Sequence, residues 1–277
     1  MKRILVADSS LELNDELAEK MEVRLVPFQV DIGQTTYMDD GTVDQQAFLS
    51  AMKDYPHAPK SAAPAPGAYL EAFGNAEEVF VITLSQKLSA SYNNAVLAKQ
   101  MREEQNAGAK IHVFDSKSAV CGETLVAAVI QSLLDLEASF DSIVKKVEAR
   151  IDESFTFFVL ESLENLIKNG RISRWKGAIA GALSIMPVMH AQDGEIALQQ
   201  MARGRSNAYG KLVDVLGTIG VNFAERTLYI SHCNAREVAE EIRDKIEQRY
   251  RFHDIQLTGM KVLSSMYANA GGIVLSF

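Results

Sequence analysis

The sequence predicts an α/β protein of two domains, an N-terminal parallel-sheet α/β domain over residues 1–152 and a C-terminal α+β domain over 153–277. Three observations carry this expectation. The first half alternates short apolar runs with helical patterns, the signature of βαβ units. The second half contains Gln192-Asp193-Gly194 between two apolar runs, and Asp-Gly is a strong hairpin signal. The chain has 277 residues, which suits two domains of roughly 150 residues each.

The elements follow in order. Ile4-Leu5-Val6-Ala7 reads as a strand, and Ser10 opens a helical pattern to about Met21. Val23 to Val26 is a second strand, and Phe28 to Tyr37 alternates like a third. Asp44 to Met52 reads as a helix, and Pro56 to Gly67 is a loop holding four of the six prolines. Val79-Phe80-Val81-Ile82-Thr83 is apolar and β-branched, as in a strand buried on both faces. A long helix is expected from Ser89 to Gln105, with Gly108 just beyond its end. Ile111 to Phe114 is the next strand, and Val120–Leu134 and Phe140–Ile151 read as helices.

The second half begins with a strand, Thr156 to Leu160, and a short helix, Ser162 to Lys168, ended by Asn169-Gly170. Ile185–Met189 and Ile196–Ala202 are the two strands of the expected hairpin. A helix from Ser206 to Leu216, a strand Thr227–Ser231, a helix Ala235–Arg249 and a strand Ile255–Thr258 complete the reading. Neither repeats nor low-complexity tracts interrupt it.

Composition narrows the function. Apolar residues make up 47% and charged residues 23%, as in an ordinary globular protein. Lys and Arg total 28 against 36 Asp and Glu, a net charge of −8. That argues against a general nucleic-acid binder, which needs a basic face to displace counterions. Cys121 and Cys233 are far apart, form no CxxC pair and read as reduced core residues. The apolar run at the N-terminus is too short for a signal peptide, and Gly177–Met189 is too short to span a bilayer. The expectation is a cytoplasmic, soluble protein.

The chemistry concentrates at strand ends, where ligands of open α/β sheets bind. Hydroxyls gather there in Asp8-Ser9-Ser10, in Thr83 through Ser85 to Ser89 and Ser91, and in Asp115-Ser116. Ser89 and Ser91 begin the long helix, where backbone N–H groups favour an anion; each also suits a helix cap. Phosphate-loop, dinucleotide and nucleophile-elbow signatures are missing, and the five histidines show no metal-pair spacing. Neither a cofactor nor a metal is expected. Asn169 to Lys176 and Arg203-Gly204-Arg205 concentrate positive charge, and Ala178 to Met186 is apolar and rich in small residues, either plain core or a cavity wall.

These segments, taken in order, resemble the DegV family of bacterial fatty-acid-binding proteins. The match runs through Ile4 to Ser9, Pro59 to Pro64, Leu84 to Tyr92, Val113 to Ser118 and Leu163 to Ser173. The resemblance implies a long-chain fatty acid in a cavity between two α/β domains, held by Ser61 and Ser89, with Ser91 where the family has threonine. It also implies a partner, a fatty-acid kinase that converts the presented carboxylate to an acyl phosphate. Arg171 matches the family arginine, and Arg203 and Arg205 fall at its basic strand end, where they would meet the partner. Transient membrane contact is compatible with such a carrier. Two departures stand out: Ser61-Ala62-Ala63 replaces the family's T-S-Q, and Tyr267 stands where the family has histidine. The resemblance thus implies a non-catalytic protein. Two other readings stay open: an enzyme on a small anionic substrate with Ser89 as nucleophile, and a carrier of a different amphiphile.

Overall fold

The structure is a computed structural model that describes residues 2–172 and 185–277. Its first sheet is parallel and four-stranded, in the order β2-β1-β6-β7. These strands are Val23–Val26, Arg3–Asp8, Glu78–Thr83 and Lys110–Asp115. All six residues of β6 are buried, as their unbroken apolar character predicts. Alternate side chains of β1 serve two cores. Ile4 and Val6 meet helices α3 (Pro66–Phe73) and α4 (Ser91–Gln105). Leu5 and Ala7 share a core with α5 (Cys121–Asp135) and α6 (Phe140–Asp152).

The second large sheet has six strands in the order β10-β9-β8-β13-β11-β12. They are Glu195–Gln200, Val188–Gln192, Thr156–Val159, Ile273–Ser276, Thr227–His232 and Asp254–Gly259. Only β11 and β12 are parallel; every other pairing is antiparallel. One face packs on α8 (Arg205–Asp214) and α9 (Arg236–Arg249) through Val159, Leu228, Ile230 and Leu275. The other face, with Phe158, Leu160 and Val274, joins the core around α5. Helix α5 therefore lies between the two sheets, which fall on either side of residue 152 in sequence. A parallel sheet with a separate mixed sheet is the fold class read from the sequence.

A third, three-stranded antiparallel sheet has the order β4-β3-β5, built from Thr35–Met38, Gln29–Ile32 and Lys60–Ala62. It packs with α2 (Gln45–Asp54) against α10 (Val262–Ala268), sharing Phe28, Phe48, Leu263 and Met266. Among the described residues two short α-helices remain, α1 (Asp15–Lys20) and α7 (Glu164–Lys168).

Several elements differ from the sequence reading. The helix expected from Ser10 begins only at Asp15, because the Asn14 carboxamide caps it by accepting from Leu17 N at 2.8 Å. The expected single strand over 28–37 is a hairpin that turns at Gly33, with φ +63°. The proline-rich loop contains β5 and the start of α3, whose Pro66 sits in the first turn, where its missing N–H costs nothing. The long helix starts at Ser91, two residues after Ser89. The hairpin strands are shifted to 188–192 and 195–200, while its Asp193-Gly194 turn is as expected. Helix α10 and strand β13 were not foreseen.

A buried charge cluster ties the segment after the first strand to the start of the last helix. Lys261 Nζ donates to Glu12 Oε2 and Leu11 O, both at 2.6 Å, and Lys261 N donates to Glu12 Oε1 at 2.8 Å. One residue on, Val262 N donates to Asp39 Oδ1 at 2.7 Å at the start of α10. Burial pushes the Glu12 carboxyl up to about 7, outweighing the Lys261 charge. A carboxyl whose pKa is raised on folding adds stability below its ordinary pKa, here 4.5, and loses it as pH rises through about 7. Glutamine keeps the neutral form throughout. The stability of the wild type relative to Glu12→Gln should therefore fall by roughly 3 kcal/mol from pH 4 to pH 8. Urea unfolding of both proteins across that range checks it; a constant difference would contradict the raised pKa.

Candidate functional site

A cavity of ≈ 270 Å³ opens beyond the carboxyl ends of the parallel strands. The residues just past β1, β6 and β7 contribute Ser10, Leu84 and Lys117 to its wall. The second sheet closes the opposite side with Phe158, Ile196 and Val274, and α10 adds Leu263 and Tyr267. Volume and lining match the lower end of small-molecule pockets, which are mostly apolar with a few placed polar groups.

The floor is formed by the turn into α5. Lys117 and Val120 both have positive φ, 51° and 58°, a strained state for residues with side chains, above all a β-branched one. Such strain costs on the order of 1–3 kcal/mol per residue. The surroundings hold Val120 in place: its N–H donates to Ser10 Oγ at 3.1 Å. Gly122 follows, and a Cβ there would lie 2.0 Å from Ser118 Oγ. Ser118 Oγ in turn bonds Thr156 Oγ1 of β8 at 2.7 Å, so the turn is pinned to both large sheets. The tip of the β9–β10 hairpin closes the wall. Gly194 O accepts from Ser85 Oγ at 2.6 Å, and Gly194 has φ +81°, with no room for a side chain against that hydroxyl.

Four of the residues singled out from the sequence meet at this cavity. Ser61 on β5 and Tyr267 on α10, 206 positions apart, bond through their hydroxyls at 3.0 Å. Ser89 lines the wall ahead of α4, where its hydroxyl accepts from Ser91 N at 3.1 Å. Arg171, just past α7, also lines it. Backbone carbonyls hold its guanidinium: Nε donates to Leu88 O at 3.1 Å and Nη1 to Asn169 O.

The remaining three stand elsewhere. Ser91 is fully buried and outside the lining; its hydroxyl bonds Asp8 and the Tyr69 hydroxyl. Asp8 also accepts from Leu84 N at 2.9 Å and Ser10 N at 3.1 Å, joining the ends of β1 and β6 to the start of α4. Burial raises the Asp8 pKa. Glu123 of α5 lies beside it, and burial first, then the Asp8 charge, push its pKa well above the carboxylate range. Arg203 is exposed on the surface. Arg205 makes a two-pronged ion pair with Glu161, at 2.9 and 2.8 Å. The other basic residues of the first cluster, Arg174 and Lys176, lie outside the described residues, as does the small-residue stretch as far as Ser184. Met186 at its end is buried against α8 and α9.

Reading the sequence missed Thr156 and Ser264 on the cavity wall. Thr156 opens a strand and Ser264 lies in the unforeseen helix, so neither carried a strand-end signal. Among the described residues no group of three His, Cys, Asp or Glu is placed to hold a metal ion, and no helix is long and apolar enough to cross a membrane.

Comparisons with known proteins cover the whole chain. A DegV domain-containing protein of Streptococcus pyogenes serotype M3 is 33% identical over 276 residues, covering 99% of this chain and 98% of its own. A DegV family crystal structure from Ruminococcus gnavus, refined with vaccenic acid, superposes with a TM-score of 0.95 at 35% identity, covering 99% of both chains. The Fatty Acid Kinase (Fak) B3 protein of Streptococcus pneumoniae, loaded with linoleic acid, gives a TM-score of 0.92 at 28% identity, covering 100% of this chain and 99% of its own. The family model for DegV, described as uncharacterised proteins, matches residues 2–277, and the chain belongs to the DegV family.

Proposed function

We propose that this protein binds one long-chain fatty acid with its tail in the cavity and its carboxylate on the hydroxyls of Ser61, Ser89 and Tyr267. The observation that carries the reading is the Ser61–Tyr267 hydroxyl pair at one wall of a mostly apolar cavity. A buried carboxylate needs hydrogen-bond donors, and bonds to a charged acceptor are the strong ones. The Arg171 guanidinium adds positive charge to the same lining. The tail supplies most of the affinity. At about 0.8 kcal/mol per buried CH₂, a sixteen-carbon chain gives on the order of 12 kcal/mol gross, less the cost of association. The likeness to DegV proteins solved with vaccenic and linoleic acids supports the same ligand class.

The role is non-catalytic: the bound carboxylate is presented to a partner kinase that phosphorylates it. An enzyme using Ser89 would need a general base at its hydroxyl; that hydroxyl accepts from Ser91 N, and the carboxylate in the lining, Glu195, belongs to β10. We assign the partner surface to Arg203 and Arg205, which are exposed and stand outside the cavity lining. The division near residue 152, with hydroxyl-bearing segments before it and a cavity-completing unit after it, belongs to the same proposal.

Five outcomes test it. Native mass spectrometry of protein purified from bacteria should show close to one equivalent of a long-chain acid; ligand-free protein that also ignores added palmitate and oleate would refute the reading. In palmitate titrations Ser89→Ala and Tyr267→Phe should each weaken binding about tenfold or more, since a lost bond to a charged group costs about 1.5–3 kcal/mol. Ser91→Ala should instead lower the melting temperature, because Asp8 loses a buried donor. Arg203→Ala combined with Arg205→Ala should leave palmitate affinity within about fivefold of wild type yet strongly reduce acyl-phosphate formation with a cognate kinase. The same activity of the wild type should decline with added salt. Lost lipid binding with intact turnover would reverse the assignment.

A further inference from the structure

Two carboxyl groups lie side by side behind the cavity wall. Asp8 ends β1 and Glu123 stands in the first turn of α5; neither has exposed surface, and neither lines the cavity. Their surroundings differ. Asp8 accepts from Ser10 N, Leu84 N and the Ser91 hydroxyl. Among the described residues neither oxygen of Glu123 has a hydrogen-bond partner. Adjacent buried carboxyls do not both ionise, and a bare carboxylate is costly to bury. The donors therefore put the charge on Asp8 and leave the proton on Glu123. Burial, then the Asp8 charge, hold the Glu123 pKa well above the carboxylate range, in keeping with this division. The other groups facing the pair are Ser10 after β1, Tyr69 of α3 and Ser91 of α4. Lys261 is the cation that acts on Glu123, and it is already paired with Glu12.

The pair reaches the ligand site by two short routes. Ser10, whose N–H bonds Asp8, lines the cavity. Ser91 bonds Asp8 through its hydroxyl, and its N–H donates to the Ser89 hydroxyl on the cavity wall. A ligand carboxylate on Ser89 is thus separated from Asp8 by one residue, and both anions draw on the positive end of α4. A second buried charge, on Glu123, would oppose the ligand. We propose that Glu123 is a pH-sensitive control on the cavity: its neutral form admits the ligand's carboxylate, and its ionised form drives the carboxylate off. The coupling is reciprocal, so a bound anion also tightens the hold of Glu123 on its proton. Affinity is full while Glu123 is protonated and falls as the pH rises through its titration. Unit charges about 10 Å apart in a protein interior change an affinity by about tenfold. This inference rests on the fatty-acid reading above.

Titrations with palmitate and with hexadecanol, from about pH 6.5 to about pH 9.5, test it. Palmitate stays ionised throughout, since a free carboxyl titrates near about pH 4. Wild-type affinity for palmitate should fall about tenfold toward the alkaline end, while that for the uncharged alcohol changes less than about twofold. Glu123→Gln, neutral at every pH, should match the wild type at the acid end and keep that affinity at the alkaline end. Glu12→Gln, which removes the carboxyl that titrates at about 7, and Glu195→Gln, which removes the carboxylate in the lining, should both retain the fall. A flat wild-type profile for palmitate overturns the inference. So does an equal fall for hexadecanol, which would mark a general loosening of the cavity, or a fall that persists in Glu123→Gln. Should Glu123→Gln not fold, the two wild-type profiles and that of Glu12→Gln decide. In each of these cases tight palmitate binding near neutral pH leaves the fatty-acid reading standing. A wild type that binds palmitate at no pH refutes that reading and this inference together.

Discussion

Helix α5 has no free face over its first two turns: every residue from Cys121 to Ala127 is buried. The parallel sheet packs on one side of it and the mixed sheet on the other, so its position decides how the two are set against each other. Interiors pack at near-crystalline density, and the small residues at its start reflect that. Gly122 has Ser118 Oγ where a Cβ would go. The chain can enter such a helix only by a sharp turn, and the positive φ of Lys117 and Val120 is that turn. The cavity floor is thus a consequence of packing, and the strain in it is balanced by bonds from Ser10 and Thr156.

Around this helix the protein buries an unusual amount of ionisable side chain. Asp8, Glu12, Asp39 and Glu123 all have no exposed surface. Buried charges are costly unless paired or hydrogen-bonded, and for Asp8, Glu12 and Asp39 the solution joins distant parts of the chain. Asp8 gathers donors from the β6 end and from α4. Glu12 and Asp39 meet the Lys261–Val262 segment, more than two hundred residues away. The same contacts that neutralise these groups hold α10 over the cavity, so the wall carrying Ser264 and Tyr267 depends on them.

The cavity wall divides its labour. Phe158, Ile196, Val274 and Leu263 offer surface without direction, which suits a ligand recognised by length and apolar area. Ser61, Ser89, Arg171 and Tyr267 offer direction. They reach the cavity from four segments, namely β5, the approach to α4, the turn after α7 and α10, so no local stretch of chain contains the site.

What the sequence determined by itself was local or periodic. Val79 to Thr83 is apolar throughout, and only a strand covered on both faces accommodates it. Asp193-Gly194 demands a tight turn whatever surrounds it. The segments around Ser61, Ser89 and Arg171 could be recognised by their order along the chain. Helix α10 and strand β13 were hidden because Val262–Ala268 and Ile273–Ser276 are seven and four residues long, too short to show a period. Their stability comes from packing against α2 and pairing between β8 and β11. Ser91 was indistinguishable from Ser89 in sequence. Only the fold decided that one faces the cavity while the other faces Asp8, because the helix begins between them and turns the second side chain into the core.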